Sequence, residues 1–394
     1  MNILLLSHSR NDPDAGASRV YHLLREGLTS RGHHVETRHY EDFRLPRRRL
    51  LATGVEKLAM PQWIGWREAG RDFAGIDVVM APSGMGAALF RRLRGRAERP
   101  LLVNHVHGLN LFDYQARLTE ALARHMPYPW HKRVAEWPPI AWDEGGTRQA
   151  DLTIVQNRRD LDYLRRHAAP CGIAMIAPAL HPQILAASAT ARPPEERDPR
   201  TLIWFGSWRA RKGAAALPPA FERVLEKVPD AALTIGGTGL LEQQVLSHFS
   251  ARARARVRVL PRLPLADQIE ALQRHAVFLF PSLSEGFGLA LIEAMALGLA
   301  AVTTPTGVGA DAVRDRDTGL IVTPGSALHL ADAILEAIRD DASRVAMAQR
   351  GQALARRFTL ARMAAEYETA FAAGLASARA ASWKVREIAA EAAL

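Results

Sequence analysis

The sequence predicts an α/β protein made of two Rossmann-like domains, each built on a parallel sheet. Short apolar runs typical of buried strands alternate with helical segments along most of the chain. The 394 residues, of which 48% are hydrophobic, suffice for two sizeable cores. Residues 192–199, rich in Pro and charged side chains, are typical of a linker. We therefore expect one domain over residues 1–180 and a second over residues 181–376.

The first domain opens with a strand at residues 3–6, a loop that contains Gly16, and a helix with apolar residues at helical spacing. A second strand begins at Val35, as in a Rossmann-like unit, although the chain has no Gly-x-Gly-x-x-Gly fingerprint. Ligands of such sheets gather beyond the carboxyl ends of the strands, so His107, which ends a predicted strand, is well placed to face one. The remaining strands of this domain are expected at residues 76–80, 101–108 and 150–157.

The second domain continues the alternation of strand and helix. It starts with a strand at residues 201–205, a basic loop that ends at Gly213, and a helix to about residue 228. Five more strands are expected near residues 233–236, 257–260, 276–280, 299–303 and 319–322, with helices at 266–273 and 327–338. From residue 354 onward the pattern is helical.

One stretch follows the strand at residues 276–280 and runs Ser284-Glu-Gly-Phe-Gly-Leu-Ala-Leu-Ile-Glu293. Its two glycines allow a ligand to approach the backbone closely. The amides around Gly286, Phe287 and Gly288 predict an anion site at the start of a helix that begins near Phe287. Glu293 would then lie roughly 9–10 Å from the start of the helix, close to the span from the terminal phosphate of a nucleotide to its ribose hydroxyls. A carboxylate at that position can accept hydrogen bonds from both hydroxyls. The alternative is an ordinary strand, turn and helix.

The frame Glu285-Gly-Phe-Gly-x4-Glu293 resembles the signature of glycosyltransferase family 4, whose members are retaining enzymes of the GT-B fold with nucleotide-sugar donors. The resemblance covers most of the chain and is strongest over residues 206–325. It implies two Rossmann-like sheets that face each other across a cleft, with an acceptor domain first and a donor domain second. It also implies that a last helix, about residues 377–394, crosses back to the first domain.

The resemblance implies roles for several residues. Departure of a nucleoside diphosphate leaves negative charge, which fixed positive groups stabilise. Lys212 in Arg209-Ala-Arg-Lys-Gly213 matches the basic pair of the family, whereas Ser207 stands where many relatives have Arg, so either Arg209 or Arg211 could take that place. The expected catalytic residues are His107, Lys212, Arg209 and Glu285. The expected donor-binding residues are Gly16, Ser207, Arg211, Arg262, Leu263, Gly286, Phe287, Gly288, Leu289 and Glu293, with base contacts around Arg262 and Leu263.

No metal or other cofactor is expected besides the nucleotide-sugar co-substrate. Asp-x-Asp sequences occur at residues 12–14, 160–162 and 315–317, and metal-dependent transferases of another fold use such a motif to bridge a diphosphate. Here the basic loop and the helix terminus are expected to neutralise the diphosphate. A glycan or lipid-linked molecule is the expected acceptor, and the aromatic-rich residues 109–148 are either its binding region or simply packed.

The charge balance favours anionic partners. There are 51 Lys and Arg against 41 Asp and Glu, a formal net charge of +10. Residues 43–51 and 90–96 interleave arginines with apolar side chains, which suits either an anionic membrane surface or solvated helix faces. Nucleic acid is not expected, because no binding motif accompanies the charge.

A cytoplasmic protein, soluble or peripherally bound to a membrane, is expected. The single cysteine, Cys171, permits no internal disulfide and suggests a reducing compartment, where it would be buried. Residues 1–7 are too short for a signal peptide, and no run of about 18 apolar residues occurs. A sugar-nucleotide epimerase of the same fold remains an alternative, as does a non-catalytic nucleotide-sugar or membrane-binding module. Base, sugar and acceptor stay open.

Overall fold

A computed structural model describes residues 1–14, 16–43, 53–123, 125–168, 172–379 and 386–387. The described chain divides into two compact units. Of the described residues, unit 1 holds those up to 112, those of 128–179, and 360–379 with 386–387, and unit 2 holds those of 113–127 and 180–359. Most of the basic segment 43–51, with Arg47, Arg48 and Arg49, lies outside the described residues, and so does the single Cys171.

The described strands are all short and pair in parallel. They are β1 (Asn2–Leu6), β2 (His34–Arg38), β3 (Val78–Pro82), β4 (Leu101–His105), β5 (Leu152–Val155), β6 (Gly172–Met175), β7 (Thr201–Phe205), β8 (Ala232–Gly236), β9 (Val257–Leu260), β10 (Val277–Phe280), β11 (Ala300–Thr303), β12 (Leu320–Ile321) and β13 (Arg386–Glu387). The sheet of unit 1 has the order β13-β6-β5-β4-β3-β1-β2, and that of unit 2 the order β12-β11-β10-β7-β8-β9.

The helices connect successive strands. They are α1 (Gly16–Ser30), α2 (Thr53–Glu68), α3 (Ser83–Leu93), α4 (Asn110–Ala123), α5 (Trp130–Gln149), α6 (Arg158–His167), α7 (Pro182–Ala189), α8 (Leu217–Lys227), α9 (Glu242–Leu246), α10 (Ala251–Arg254), α11 (Leu265–Gln273), α12 (Leu289–Ala296), α13 (Val308–Asp311), α14 (Ala327–Arg339), α15 (Asp341–Ala355) and α16 (Leu360–Arg379). None of the described helices has both the length and the hydropathy that crossing a bilayer requires.

Each sheet is buried on both faces, which explains why its central strands are almost continuously apolar. In unit 1, one core cluster lies between the sheet and the helices α1 and α16, with Leu24 and Phe371 fully buried in it. A second cluster lies under α2 and α3, around Ile64 and Phe90. In unit 2, α8 and α14 cover one face, where Phe221 is buried.

The chain returns to the first sheet earlier than predicted. Residues 360–376 were expected in the second domain, but α16 begins at Leu360 and packs against α1 in unit 1. The helix expected at residues 377–394 is also wrong where the structure describes it, because α16 ends at Arg379 and Arg386–Glu387 pair with β6 as a strand. The helix α16 packs in the core of unit 1 through an apolar stripe that contains Met363, Tyr367 and Phe371.

Candidate functional site

The two loops predicted to bind the donor meet at the point where the strand order of the second sheet reverses. β7 and β10 are neighbours in that sheet, although two strands separate them in the chain. Residues 206–213 follow the carboxyl end of β7, and residues 281–288 follow that of β10. In open parallel sheets, ligands bind outside the carboxyl ends of the strands at such a switch point. The topology therefore brings both loops to one expected ligand site.

Close backbone contacts join these loops. The Leu283 amide donates to the carbonyl oxygen of Arg211 at 2.7 Å. Gly213, which ends a short 3₁₀ turn, has φ 66°, a left-handed value that favours glycine. A Cβ atom at this position would lie 1.8 Å from the carbonyl oxygen of Pro281. The approach of the loops, and with it the position of Lys212, thus depends on the glycine.

The basic loop presents two cations to Glu285. Lys212 Nζ lies 2.6 Å from Glu285 Oε1, and Arg211 Nη1 lies 3.7 Å from Glu285 Oε2. Ser282 Oγ also donates to Glu285 Oε1, at 2.6 Å. The side chain of Glu285 is 4% exposed and that of Lys212 is 16% exposed, so this ion pair is largely withdrawn from water. The four side chains form a compact charged cluster with one more positive than negative group.

The protonation of this cluster follows from burial and from mutual attraction. Burial by itself raises the pKa of Glu285, but Lys212 and Arg211 outweigh it and hold that pKa below its ordinary value. Burial lowers the pKa of Lys212, repulsion by Arg211 adds to this, and Glu285 opposes both. Glu285 is therefore ionised at neutral pH, and its charge helps to keep Lys212 protonated. An anionic ligand at this loop would compete with Glu285 for the two cations.

Asp113, on α4, extends the cluster and carried no sequence signal. Ser284 Oγ donates to Asp113 Oδ1 at 2.7 Å, and Asp113 Oδ2 lies 4.0 Å from Arg211 Nε. Asp113 and Ser284 are 171 positions apart in the chain. Asp113 belongs to no motif, so only the folded arrangement could reveal its contact with Ser284.

The structure distinguishes the two candidate arginines of the basic loop. Arg211 lies with Lys212 and Glu285, as described above. Arg209 is exposed at the start of the 3₁₀ turn, and no contact between its side chain and Glu285 is present in the described chain. Ser207 contributes a backbone carbonyl that accepts from the Arg209 amide at 2.8 Å. Geometry therefore favours Arg211 as the partner of Lys212.

The helix after the glycine motif begins at Leu289, two residues later than expected. Gly288 is its N-cap with φ 104°, a conformation that a helix interior cannot include, and it has no side chain to satisfy the first amides. Phe287 is buried in the preceding loop, where its carbonyl accepts from the Val308 amide at 2.7 Å. Glu293 consequently lies about 6 Å beyond the first helical residue, so the distance of 9–10 Å was too long.

Glu293 is buried in α12 and connects to the neighbouring helix. The residue is only 2% exposed, and Gln268 Nε2 on α11 lies 3.4 Å from Glu293 Oε2. Arg262 and Leu263, the predicted base contacts, lie in the loop between β9 and α11. α11 thus follows that loop directly and carries the residue that contacts Glu293, a connection that spacing alone did not show.

In unit 1, His107 follows β4 and joins a cluster of neutral rings. Gln156 Nε2 lies 3.3 Å from His107 Nδ1, and the His105 and His107 rings are 4.2 Å apart. Burial lowers the pKa of His107 well below its ordinary value, and His105 adds to this. Tyr21 packs against His107 with ring centroids 5.4 Å apart. His107 is therefore a neutral hydrogen-bonding group.

Other predicted features of unit 1 have local structural explanations. Gly16 is the first residue of α1 and not part of the preceding loop. Arg92, Arg94 and Arg96 donate to backbone carbonyls within unit 1, so these side chains cap the ends of neighbouring segments. The aromatic-rich stretch forms α4 and α5, and it includes Trp130 and Trp137 among the most exposed large side chains. In the part of the chain that the structure describes, no group of three or more His, Cys, Asp or Glu side chains has the arrangement of a metal site.

Residues 189–354 match the family described as Glycosyl transferases group 1. A D-inositol 3-phosphate glycosyltransferase from Corynebacterium diphtheriae is 26% identical over 238 residues, which cover 56% of this chain and 56% of that protein. A phosphatidyl-myo-inositol mannosyltransferase from Mycobacterium tuberculosis is 30% identical over 188 residues, which cover 45% of this chain and 49% of that protein. The chain thus spans about half the length of the curated relatives it matches.

A solved structure gives a similarity in fold over almost the whole chain. The sucrose-phosphate synthase from Thermosynechococcus elongatus superposes with a TM-score of 0.74 at 19% sequence identity. The superposition covers 97% of this chain and 100% of that one. At this identity the likeness concerns the fold alone, and it includes residues of both units outside the segment 189–354.

Proposed function

We propose that this chain, which has the GT-B fold and over residues 189–354 belongs to the group 1 glycosyl transferases, transfers a sugar from a nucleotide-sugar donor to an acceptor hydroxyl. One observation carries the proposal: Lys212 and Arg211 are held beside Glu285 at the switch point of the second sheet. Both curated relatives are named as transferases of a glycosyl or mannosyl group, which supports the same reaction class.

The proposed transfer breaks the bond between the anomeric carbon and the diphosphate oxygen. The nucleoside diphosphate leaves with the bonding electrons, the acceptor oxygen bonds to the anomeric carbon, and the acceptor proton passes to the leaving phosphate. Lys212 and Arg211 stabilise the charge that develops on the leaving oxygen. Glu285 orients the cations and contacts donor hydroxyls, while His107 donates a hydrogen bond to the sugar. Glu293 accepts from the ribose, and the segment 262–263 contacts the base.

We further propose that transfer retains the anomeric configuration and needs no metal ion. Retention follows from attack on the same face as departure, with the leaving phosphate as the base. The positive charge that a divalent ion supplies in other transferases would come from Lys212, Arg211 and the amides at the start of α12. Chelator treatment of the purified enzyme, followed by readdition of Mg²⁺ or Mn²⁺, tests this part directly.

We propose a lipid-linked acceptor or a cell-envelope glycan precursor, and a cytoplasmic enzyme that binds the membrane peripherally. One feature of α5 supports this: Trp130, Val134 and Trp137, spaced i, i+4 and i+7, are 76%, 60% and 71% exposed. Lys132 and Arg133 are exposed on the same turn. Exposed Trp with neighbouring basic side chains suits the interface of an anionic bilayer. We prefer α5 to the predicted residues 90–96, where Arg92, Arg94 and Arg96 donate to backbone carbonyls within unit 1.

The first experiment is a donor screen followed by one substitution. Thermal unfolding with UDP, GDP and ADP identifies the nucleotide, because ligand at 100 times Kd adds about 2.7 kcal/mol of stability. With the matching nucleotide-sugar, Lys212→Ala should lower kcat on the order of 10²–10³-fold, since its charge acts on the leaving group. Lys227→Ala, at the exposed end of α8, is the control and should leave kcat unchanged. An unchanged kcat in Lys212→Ala contradicts the assignment.

The same screen separates the two alternatives. A same-fold epimerase would convert the donor with no acceptor present, and its product would be an isomeric sugar nucleotide. A non-catalytic module would bind nucleotide or vesicles, with no donor turnover under any condition. The buried ion pair of Lys212 and Glu285 favours the transferase. A cation withdrawn from water can stabilise the charge of a departing diphosphate, and a binding module releases no such group.

A further inference from the structure

We propose that Gln156 is a positioning residue that fixes the tautomer of His107, so that the proton of the neutral imidazole lies on Nε2. The inference rests on the proposed function, in which His107 contacts the donor sugar. It assigns a role to a side chain that no motif singles out.

Strand pairing brings the two residues together. β4 and β5 are parallel neighbours, Gln156 directly follows β5, and His107 lies two residues beyond β4. Gln156 Nε2 is 3.3 Å from His107 Nδ1 and 3.4 Å from His105 Nε2. An amide nitrogen carries two protons and accepts none, so it can donate to both rings. His107 Nδ1 is then an acceptor, which leaves the ring proton on Nε2.

Tyr367 contacts the same His105 nitrogen as Gln156. The Tyr367 hydroxyl lies 2.8 Å from His105 Nε2. Burial raises the pKa of Tyr367 and lowers the pKa of His105 to about 3, so both groups are neutral. With the Gln156 amide nitrogen facing both rings, His105 Nε2 is an acceptor in the proposed arrangement. Tyr367 lies on α16, so its contact with His105 depends on the packing of this helix in unit 1.

The consequence lies on the other side of the His107 ring. His107 Nε2 is shielded from water and has no hydrogen-bond partner in the described residues. A shielded N–H lacks its hydrogen bond until an acceptor oxygen arrives. The opposite tautomer would present a lone pair there and could not donate to a sugar oxygen. Gln156 thus decides whether His107 is a donor or an acceptor toward its ligand.

The test measures the tautomer and the transfer rate separately. Nitrogen-15 NMR of histidine-labelled protein, assigned with His107→Gln, reports which ring nitrogen is protonated. We expect Nε2–H in the wild type. In Gln156→Glu, the carboxylate accepts a proton from the ring, so the proton should move to Nδ1. Transfer at saturating donor should then fall at least tenfold, while the Kd of the nucleoside diphosphate stays within twofold and unchanged hydrogen exchange in β4 and β5 shows that unit 1 of the variant is folded.

A matched control and clear outcomes complete the design. Gln183→Met removes an exposed amide on α7 and should change neither measurement. Gln156→Met should give a mixture of tautomers and an intermediate rate. Nδ1–H in the wild type, an unmoved proton in Gln156→Glu, or a moved proton with an unchanged rate would each overturn the proposal. If the wild type shows Nε2–H but transfers no sugar with any donor, the proposed function fails and the tautomer assignment stands.

Discussion

Glu293 shows how the placement of one buried carboxylate limits its role. It is 2% exposed, and its contact with Gln268 Nε2 is long, at 3.4 Å. Replacement by Gln keeps one acceptor oxygen but removes the charge, which weakens a charge-assisted hydrogen bond of about 1.5–3 kcal/mol. We expect the Kd of the nucleoside diphosphate to rise about tenfold or more. Isothermal titration of Glu293→Gln measures this.

The ribose hydroxyls provide the internal control for that measurement. A 2′,3′-dideoxy nucleoside diphosphate lacks the hydroxyls that are proposed to donate hydrogen bonds to Glu293. The wild type and Glu293→Gln should therefore bind it almost equally. If the variant still prefers the ribose form as strongly as the wild type does, Glu293 is not the ribose ligand.

His105 should make unit 1 sensitive to acid. Burial lowers its pKa to about 3, whereas an unfolded histidine titrates near 6.5, so the unfolded chain binds one more proton between these values. The free energy of unfolding therefore falls as pH decreases from about 6.5 towards 3, by about 1.4 kcal/mol per pH unit for this group. Hydrogen exchange in β4 and β5 at several pH values, corrected for the intrinsic rate, measures the slope.

Replacement of His105 by Asn removes the titrating group. The slope should then decrease by close to one proton, even if the variant is less stable at pH 7. His34→Asn, at an exposed position of β2, is the control and should leave the slope of β4 and β5 as it was. A slope that is the same in His105→Asn and in the wild type would show that His105 takes up its proton in the folded protein.

At the scale of elements, periodicity predicted most strands and helices because apolar residues must repeat with the geometry of the element that buries them. The strands on either side of the basic loop and the glycine motif are examples, since each is an apolar run between turn residues. Helix ends were less accessible. The start of α12 depends on the left-handed φ of Gly288, and a sequence pattern does not reveal which glycine adopts it.

α5 carries the element-scale prediction. Its exposed residues Trp130, Val134 and Trp137 should insert at the surface of vesicles that contain phosphatidylserine and phosphatidylcholine, with Lys132 and Arg133 adding about 1 kcal/mol each. Trp130→Ser with Trp137→Ser should abolish most of the sedimentation with these vesicles. Added salt should weaken the binding of the wild type.

Trp66 supplies the matched control on another helix. It is 56% exposed on α2, and the Arg92 guanidinium lies 4.8 Å from the centre of its ring. Trp66→Ser should therefore sediment like the wild type. Equal binding to pure phosphatidylcholine and to the anionic vesicles, or equal loss in Trp66→Ser, would remove α5 as the membrane contact.

At the scale of the whole molecule, the sequence predicted two Rossmann-like units and the charged residues of the second one, because those depend on local motifs. It did not predict contacts between distant segments. Asp113 beside Ser284, and Tyr367 beside His105, join parts of the chain that no pattern relates. The return at Leu360 was missed for the same reason, since a helical pattern does not state which sheet its apolar stripe will cover.

That return gives the last prediction. α16 packs on α1 so closely that a Cβ atom at Gly27 would lie 2.9 Å from Ala364 Cβ. Gly27→Leu introduces a residue that favours helices more than glycine does but forces the two helices apart, which should destabilise unit 1 by about 1–3 kcal/mol. Hydrogen exchange should increase in β1, β4 and α16 and stay unchanged in the strands of unit 2.

Gly145 in α5 gives the comparison that isolates packing from helix propensity. A Cβ atom there would meet Ala87 Cβ at 3.7 Å, an ordinary van der Waals distance. Gly145→Ala should therefore stabilise unit 1 by up to about 1 kcal/mol, because alanine favours helix more than glycine does. If Gly27→Leu left hydrogen exchange in unit 1 unchanged, the contact between α1 and α16 would not contribute to the stability of the first sheet. Equal loss of protection in both units would instead show that they unfold together, and that α16 stabilises the molecule as a whole.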